Sequence, residues 1–233
     1  MPTILDRPQR AGLSWRIYGA TASQAGSNQS LSNGYAWSIC PTIAECLYTS
    51  QDRNLVSSAR FNTDASKGAL PAFSVVTPGG PTFPNSCHNA FSITACDNWV
   101  GELVKSAEDG PDWSSTAIFI TFDDFGGFYD SVPPPVNPDG TQEGPRVPLI
   151  IVSPYARPGY TDTTQASFAS ILAFTEHDFG LAPLSANDAT TYRFNNAFNY
   201  SRAPLHPARV VTRPLPTWAR HIHLTKGMLD DPS

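Results

Sequence analysis

Near the middle of the chain lies the stretch Thr116-Ala-Ile-Phe-Ile-Thr-Phe-Asp-Asp-Phe-Gly-Gly-Phe-Tyr-Asp-Ser-Val-Pro-Pro-Pro135. It opens with the apolar and β-branched residues Ala117–Phe122, which predict a short buried strand. The run stops at two adjacent carboxylates, Asp123 and Asp124, and a Gly-Gly pair then lets the backbone turn. In open α/β sheets, ligands bind just beyond the carboxyl ends of the strands. We therefore predict a ligand site at this acidic pair.

The residues themselves allow two interpretations of Asp123 and Asp124. Two neighbouring carboxylates repel each other, and burying either one unpaired is costly. A divalent cation would resolve both problems, because hard metals favour carboxylate oxygen. The simpler interpretation is a solvated turn whose carboxylates accept hydrogen bonds from free backbone N–H groups. The local pattern leaves both interpretations open.

The longer stretch Trp113–Pro135 closely resembles the signature of the phosphoesterase family of bacterial phospholipases C and acid phosphatases, in the alkaline-phosphatase-like superfamily. In that signature the acidic pair at the strand end supplies metal ligands beside the reacting phosphate. The resemblance implies that Asp123 and Asp124 bind a divalent metal ion of unknown identity. Phe125 departs from the family pattern, in which histidine or asparagine is frequent at this position.

The second candidate is His88, in the polar loop segment Ser86-Cys-His88. A lone histidine in such a loop is usually just exposed. Family members, however, carry a Ser-x-His segment after the equivalent strand, and the resemblance implies a catalytic role for His88. Its imidazole would hydrogen-bond a phosphate oxygen or protonate the leaving alkoxide. Asn89 follows where many members have proline.

The expected fold is α/β, with a mainly parallel sheet flanked by helices. Besides 117–122, alternating or continuous apolar patterns predict strands at Leu13–Tyr18, Leu70–Pro78 and Arg146–Pro154. In the first of these, Leu13, Trp15 and Ile17 are expected on one face. The predicted helix between the 70–78 and 117–122 strands implies a right-handed crossover between parallel strands.

Four segments have helical patterns. Thr3 and Asp6 predict a capped first turn that Pro8 limits to about one turn, and Pro41 favours a short helix start. Apolar residues from Ile93 to Ala107 recur at helical spacing after a capping Ser92. A last helix is predicted over Gln165–Phe179, with Gly180 at its C-terminal cap. It should bury Phe168, Ile171 and Leu172, and His177 near its end fits the helix dipole better than catalysis.

Length and charge exclude several classes of protein. A chain of 233 residues is expected to form one compact domain. Its net charge of −5 and the lack of a dense basic run argue against nucleic-acid binding. No apolar stretch is long enough to span a bilayer. The first residues lack the basic and apolar regions of a secretory signal, whereas the family resemblance suggests a secreted or periplasmic protein.

The remaining chemistry-bearing residues are assigned structural roles or left open. The four cysteines form two local pairs, Cys40/Cys46 and Cys87/Cys96, which either form disulfides or stay as free thiols. Arg146 could hold a phosphate, but a salt bridge to Asp130 is the favoured prediction. The histidines at 221 and 223 alternate as two ligands on a strand would, without a third ligand nearby, so no metal site is expected there.

The resemblance covers residues 1–204 and only the C-terminal part of the family domain, so the sheet is expected to be incomplete on its N-terminal side. Residues 205–233 are predicted to form an irregular tail. Full-length members carry an upstream Glu-Asn pair that binds the metal and a serine or threonine nucleophile. Neither motif is found in this sequence, and neither Ser86 nor Thr121 has a visible activating base.

The function predicted from the resemblance is that of a metal-dependent phosphoric ester hydrolase of the phospholipase C type. Its substrates would be phospholipids or soluble phosphomonoesters. Two alternatives stay open: a truncated, catalytically inactive homologue, and a non-enzymatic module that binds a phosphate or a metal.

Overall fold

The computed structural model describes residues 3–22, 36–79, 85–88, 91–126, 128–136 and 140–215. Within these ranges the α-helices are α1 (Asp6–Arg10), α2 (Ala44–Tyr48), α3 (Arg60–Ser66), α4 (Ile93–Glu108), α5 (Phe168–Asp178) and α6 (Ala186–Thr190). The strands are β1 (Trp15–Gly19), β2 (Leu55–Ser57), β3 (Phe73–Val76), β4 (Ile118–Thr121) and β5 (Leu149–Val152). Short 3-10 helices cover Ala36–Ser38, Cys40–Thr42, Ser50–Asn54, Trp113–Ser115 and Asn195–Ala197.

Three strands form a parallel sheet in the order β2-β1-β3, which confirms the parallel part of the prediction. β1 is central, and Ile17 lies between Leu55 of β2 and Val75 of β3. Because successive side chains of a strand point to opposite faces, Trp15 and Ile17 share one core cluster while Tyr18 belongs to another. Helices α3 and α4 cover the Tyr18 face, so the architecture is α/β.

A buried carboxylate ties α3 to β1. Asp64 accepts hydrogen bonds from the Arg16 guanidinium at 2.5 Å and from the Tyr18 hydroxyl at 2.9 Å. Burial raises the pKa of Tyr18 to about 12. Burial alone would raise the pKa of Asp64 as well, but hydrogen bonds from Tyr18 and Arg60 outweigh it and lower that pKa. The carboxylate therefore stays ionised and fixes the helix on the sheet.

The sequence predicts that the helix α4 links two parallel strands of one sheet, β3 and β4, and for β4 this prediction is wrong. In the described ranges β4 pairs with β5 instead, antiparallel, as a separate two-stranded sheet in which Thr121 lies opposite Leu149. The connection from β4 to β5 is rich in proline, which cannot continue a helix, and a parallel return would need a long crossover, usually a helix. Ile118 still packs against the Tyr18 cluster, so the two sheets are neighbours.

The β4–β5 pair is less buried than the sequence predicts. Ile150 is 57% exposed and Phe122 is 37% exposed, although both lie in runs that predict buried strands. The opposite face is covered, because Phe119, Leu149 and Ile151 pack against a cluster built on Phe194 and Phe198. The pair is therefore a half-buried ribbon rather than a central strand pair.

Two helix ends lie where the capping residues predict them, the start of α4 after Ser92 and the end of α5 before Gly180. Ser92 caps α4 by accepting a hydrogen bond from the Ala95 N–H at 3.3 Å. α5 begins at Phe168, later than the predicted Gln165, because Ser167 and Ser170 form a reciprocal capping box. It ends before Gly180, whose φ of 62° suits a residue without a Cβ. The predicted burial of Phe168 is wrong: this first helical residue is 50% exposed.

The predicted short helix at the start of the chain is confirmed as α1, but the predicted cap at Thr3 is wrong, because the N-cap residue is Leu5, which makes no side-chain capping bond. Its five residues contain Pro8, and the Asp6 carboxylate accepts a hydrogen bond from the Thr3 N–H at 2.8 Å. Both cysteine pairs, Cys40–Cys46 and Cys87–Cys96, are disulfide-bonded, with Cα atoms 5.2 Å apart in each pair. The second disulfide attaches the segment 85–88 to α4.

The last described segment, 203–215, contains no helix or strand. It is held to the body by hydrogen bonds from the Leu205 N–H to the Pro154 carbonyl at 2.8 Å and from the Arg213 N–H to Asn98 at 2.7 Å. The histidines at 221 and 223 lie outside the described residues. Among the helices that the structure describes, none is long and apolar enough to cross a membrane.

Candidate functional site

The acidic pair lies in the turn that follows β4. The Thr121 hydroxyl donates to the Pro148 carbonyl at 2.9 Å and so fixes the end of the strand. Asp123 is exposed and Asp124 is half-buried. One Asp124 oxygen accepts a hydrogen bond from the Gly126 N–H at 2.5 Å, and Gly126 has a φ of 60°, which favours glycine. Asp124 thus closes the turn, as the simpler interpretation requires, and both carboxylates keep oxygen atoms for a further ligand.

His88 is held in place through its own segment. Its backbone N–H donates to the buried Ser86 hydroxyl at 3.1 Å, and its carbonyl accepts from the Phe91 N–H at 3.1 Å. The ring is half-buried and meets the Phe91 ring edge-on, with centroids 6.3 Å apart. The Cys87–Cys96 disulfide anchors the neighbouring residue to α4. The loop therefore presents the imidazole from a fixed backbone.

The predicted site residues do not gather into one ligand set. Within the described ranges, no group of three or more His, Cys, Asp or Glu side chains is placed to hold a metal ion. Asp123 and Asp124 remain together as sequence neighbours, and His88 does not complete a triad with them. Carboxylate oxygen is a ligand that suits a hard divalent cation. Two carboxylates are, however, too few ligands to complete the coordination of such an ion.

The loop after the acidic pair is fastened by Asp130 and Arg146, which confirms the predicted salt bridge. The guanidinium donates from Nε and Nη2 to the two carboxylate oxygens, at 2.9 Å and 2.8 Å. The Arg146 backbone N–H adds a bond at 2.9 Å, and the Val132 N–H adds one at 3.0 Å. The hydrogen bonds from the Arg146 side chain, with those from the backbone, hold the pKa of Asp130 well below its usual range. Arg146 is therefore occupied by a carboxylate.

A buried pair of carboxylates, Glu176 and Asp188, was missed from the sequence. Both accept from the Leu184 N–H, at 3.2 Å and 2.7 Å, and each residue is 3% exposed. Burial, together with the neighbouring Asp188, raises the pKa of Glu176 to about 7. Burial also acts to raise the pKa of Asp188, but hydrogen bonds from Ser185 and Leu184 outweigh it and lower that pKa. The sequence did hold one sign of this pair, because Glu176 follows Leu172 by one helical turn and so lies on a face expected to be buried.

Comparisons with known proteins give the family. A sequence model described as the Phosphoesterase family matches residues 1–182. The chain is 32% identical to non-specific phospholipase C1 of Arabidopsis thaliana, over 62% of this chain and 33% of that protein. It is 28% identical to the non-hemolytic phospholipase C of Burkholderia pseudomallei (strain K96243), over 86% of this chain and 34% of that protein.

A third relative is phospholipase C B of Mycobacterium tuberculosis (strain ATCC 25618 / H37Rv), 26% identical over 85% of this chain and 43% of that protein. The chain spans about a third of the length of the first two of these curated relatives. The family match extends over most of the chain and includes the β4 turn with its acidic pair. The chain belongs to the Phosphoesterase family.

Proposed function

We propose that this chain carries part of the catalytic site of a metal-dependent phosphoric ester hydrolase of the phospholipase C type. The observation that carries the proposal is the position of Asp123 and Asp124 in the turn after β4, in a chain of the Phosphoesterase family. The names of the relatives support phospholipid as the substrate class. The fold class proposed for the complete domain is alkaline-phosphatase-like.

Asp123 and Asp124 would hold the metal ion through the carboxylate oxygens that the turn does not use. Carboxylate oxygen is the ligand that hard divalent cations prefer, and such cations take six or more ligands. Further donors must therefore join the two carboxylates. When bound, the cation would neutralise charge on the phosphoryl oxygens and activate a hydroxyl nucleophile.

The other residues of the chain would position the substrate and move a proton. His88 is proposed to donate a proton to the oxygen of the departing alcohol, which an imidazole can do near neutral pH. Asp130 and Arg146 would keep the loop beyond the acidic pair in one conformation. We assign no hydroxyl of this chain as the nucleophile.

Exposed aromatic residues just after the acidic pair favour a lipid over a small soluble ester. Phe125 is 43% exposed, Phe128 is 61% exposed and Tyr129 is 92% exposed. Apolar surface beside a polar site suits a substrate that has a charged head group and acyl chains. The proposed substrate is therefore a phospholipid at a membrane or micelle surface.

The second candidate is a catalytically inactive relative that binds a phosphate or a metal. The observation in its favour is that the described residues hold no cluster of three candidate metal ligands. An inactive relative would bind the divalent cation weakly through Asp123 and Asp124 without turning over any ester. In both candidates Asp123 and Asp124 bind the divalent cation, and only the hydrolase turns over an ester.

The test is hydrolysis of p-nitrophenyl phosphate and of a short-chain phosphatidylcholine by the purified chain, across a series of divalent metals. The variant Asp123→Asn/Asp124→Asn removes both charges while an amide oxygen can still accept from the Gly126 N–H. Asp52→Asn, at an exposed carboxylate of the 50–54 helix, is the matched control.

Metal-dependent hydrolysis that the double variant loses and the control keeps would support the proposal and would also place the nucleophile within these 233 residues. A folded chain that binds the metal but turns over neither ester would mean that the site in this chain is incomplete, as in the inactive candidate. Turnover that persists in the double variant would remove the acidic pair from the proposal.

A further inference from the structure

The turn after the 3-10 helix Asn195–Ala197 contains the triplet Asn199-Tyr200-Ser201. An asparagine followed two positions later by serine or threonine, with any residue except proline between them, is the acceptor motif for N-linked glycosylation. Among the residues that the structure describes, no other asparagine belongs to such a triplet. The sequence has a second triplet at 28–30, outside the described residues. A motif this short also occurs by chance, so the surroundings of Asn199 decide whether it can act.

The turn is anchored on both sides and exposed between its anchors. The Asn199 N–H donates to the Tyr155 carbonyl at 2.8 Å. The Arg202 guanidinium donates to the Ala156 carbonyl at 2.5 Å. Between these two anchors, Tyr200 is 65% exposed. The folded protein therefore presents the triplet at its surface from a fixed backbone.

The Asn199 side chain contacts the fold by a hydrogen bond to its oxygen only. Oδ1 accepts from the Ser201 N–H at 3.0 Å, which forms a local turn of the type that asparagine favours. The nitrogen Nδ2, the atom that would carry the sugar, makes no hydrogen bond with the described residues and is not among their buried polar atoms that lack a partner. Asn199 is half-buried as a whole and Ser201 is exposed. Replacing one hydrogen of Nδ2 by a sugar therefore breaks no hydrogen bond in the described part of the chain.

The cysteines support the compartment that this modification needs. All four cysteines of the sequence are paired in two disulfides. Disulfides form and persist in oxidising environments, which include the lumen of the endoplasmic reticulum and the outside of the cell. N-linked sugars are characteristic of surface loops in secreted proteins. The disulfides and the triplet thus agree on a secretory route.

We propose that Asn199 is a site of N-linked glycosylation in a eukaryotic secretory pathway. The co-reactant is an oligosaccharide joined through its first sugar to a polyprenyl diphosphate. The bond from C1 of that sugar to the diphosphate oxygen breaks, C1 forms a bond to Nδ2, and the polyprenyl diphosphate leaves. Nδ2 gives up one proton to a base of the transferase. The proposal uses none of the residues of the proposed hydrolase site.

The glycan would lie on the covered side of the β4–β5 ribbon. Phe198, the residue before Asn199, packs with Phe119 on that side. Ile150 faces the other side and is 57% exposed. A bulky polar group at Asn199 therefore leaves the exposed apolar side of the ribbon open.

The test is to secrete the full chain from a yeast host behind a cleavable signal and to digest its soluble, disulfide-bonded fraction to peptides. Peptide N-glycosidase in heavy-oxygen water then converts each glycosylated asparagine to a labelled aspartate, which mass spectrometry locates. We expect the label at Asn199 and its loss in Asn199→Gln. Ser201→Ala should lower the occupied fraction at least about tenfold, whereas Ser201→Thr, which keeps the hydroxyl, should retain it. Asn195→Gln, at an exposed asparagine outside any triplet, is the matched control and should leave the occupied fraction unchanged.

Exposure of the turn is measured on the native protein. Endoglycosidase H should release the glycan without prior unfolding. A label at Asn28 alone, or no label in the soluble fraction, would overturn the inference. A label at Asn199 confined to aggregated chains with reduced cysteines, or a glycan that is released only after unfolding, would overturn it too, because the folded turn would then not present the side chain.

Discussion

Asp130 and Arg146 join two points of the β4–β5 connection by a two-pronged ion pair, with N–O distances of 2.9 Å and 2.8 Å. The backbone N–H of Arg146 donates to the same carboxylate, which also accepts from the Val132 N–H. The pair thus closes the proline-rich segment 130–146, which follows the turn that holds Asp123 and Asp124. The planar guanidinium of arginine can donate two parallel hydrogen bonds to a carboxylate, which the ammonium group of lysine cannot do.

Replacing Arg146 by lysine should loosen the loop without unfolding the protein. The lysine keeps the charge but loses the fork, so the amide protons of Val132 and residue 146 should exchange faster with deuterium. Because the Arg146 side chain is 63% exposed, the midpoint of thermal unfolding should change little. The pKa of Asp130 is lower in the folded protein than in the unfolded chain. Its contribution to the free energy of unfolding is therefore present above about pH 3.8 and is lost as pH falls through the pKa of the folded protein. Equal exchange in the variant and the unaltered chain at pH 5 would contradict this role.

Stability should decline from pH 4.5 to pH 8 because of Glu176. Its pKa is raised from 4.5 to about 7 in the folded protein, so the fold binds this proton more tightly than the unfolded chain does. The resulting stabilisation is complete below the unfolded pKa and is lost as pH rises through about 7. Asp188, whose pKa is lowered, works in the opposite direction at acid pH.

Glu176→Gln should therefore flatten the pH dependence and raise the unfolding temperature at pH 8. The expected gain is a few degrees, since a protein of this size gains roughly 2–4 °C for each kcal/mol. Differential scanning fluorimetry at pH 5, 6, 7 and 8 measures both effects. A variant curve parallel to that of the unaltered chain would contradict the assignment.

The Cys87–Cys96 disulfide should stabilise the fold and hold the loop of His88. Closing a loop of this length restricts the unfolded chain by about 2–3 kcal/mol. Cys87→Ser/Cys96→Ser should lower the free energy of unfolding in urea by that amount and shift the NMR signals of the His88 ring. The matched variant Cys40→Ser/Cys46→Ser should destabilise as well but leave those ring signals in place. A shift of similar size in both variants would show that the Cys87–Cys96 disulfide has no special effect on His88.

The exposed aromatic residues beside the acidic pair should matter for lipid and not for a small ester. Phe128→Ser/Tyr129→Ser removes two side chains that are 61% and 92% exposed, so the fold should lose little stability. We expect cosedimentation with phosphatidylcholine vesicles to fall at least about threefold, with p-nitrophenyl phosphate turnover unchanged. Tyr48→Ser, at an 80% exposed residue of α2, is the control. Equal loss in that control would indicate a general surface effect.

Local signals in the sequence predict most of the elements. Ser92 and Gly180 bound α4 and α5 correctly, and the alternation of Trp15 and Ile17 placed both in one core cluster. The Arg146–Asp130 pair was also predicted, as a salt bridge between an arginine before a strand and an acidic residue of the preceding loop. These features depend on short sequence separations or on simple charge pairing.

The features that the sequence did not predict depend on distant parts of the chain. The antiparallel pairing of β4 with β5 depends on how the proline-rich connection returns, which apolar periodicity does not encode. The Glu176–Asp188 pair forms because the turn at Leu184 brings α6 back to α5. The hydrogen bond from the Ala208 N–H to Glu108 joins residues that lie 100 positions apart.

Binding of a divalent metal ion by Asp123 and Asp124 is the step on which the proposed hydrolase function depends. Titration with Mn²⁺, followed by the paramagnetic broadening of NMR signals, measures it. We expect the Gly126 amide, which donates to Asp124, to broaden first and Asp123→Asn/Asp124→Asn to abolish that broadening. A Gly126 signal that stays sharp in the unaltered chain, or that broadens equally in the double variant, would contradict metal binding at this pair.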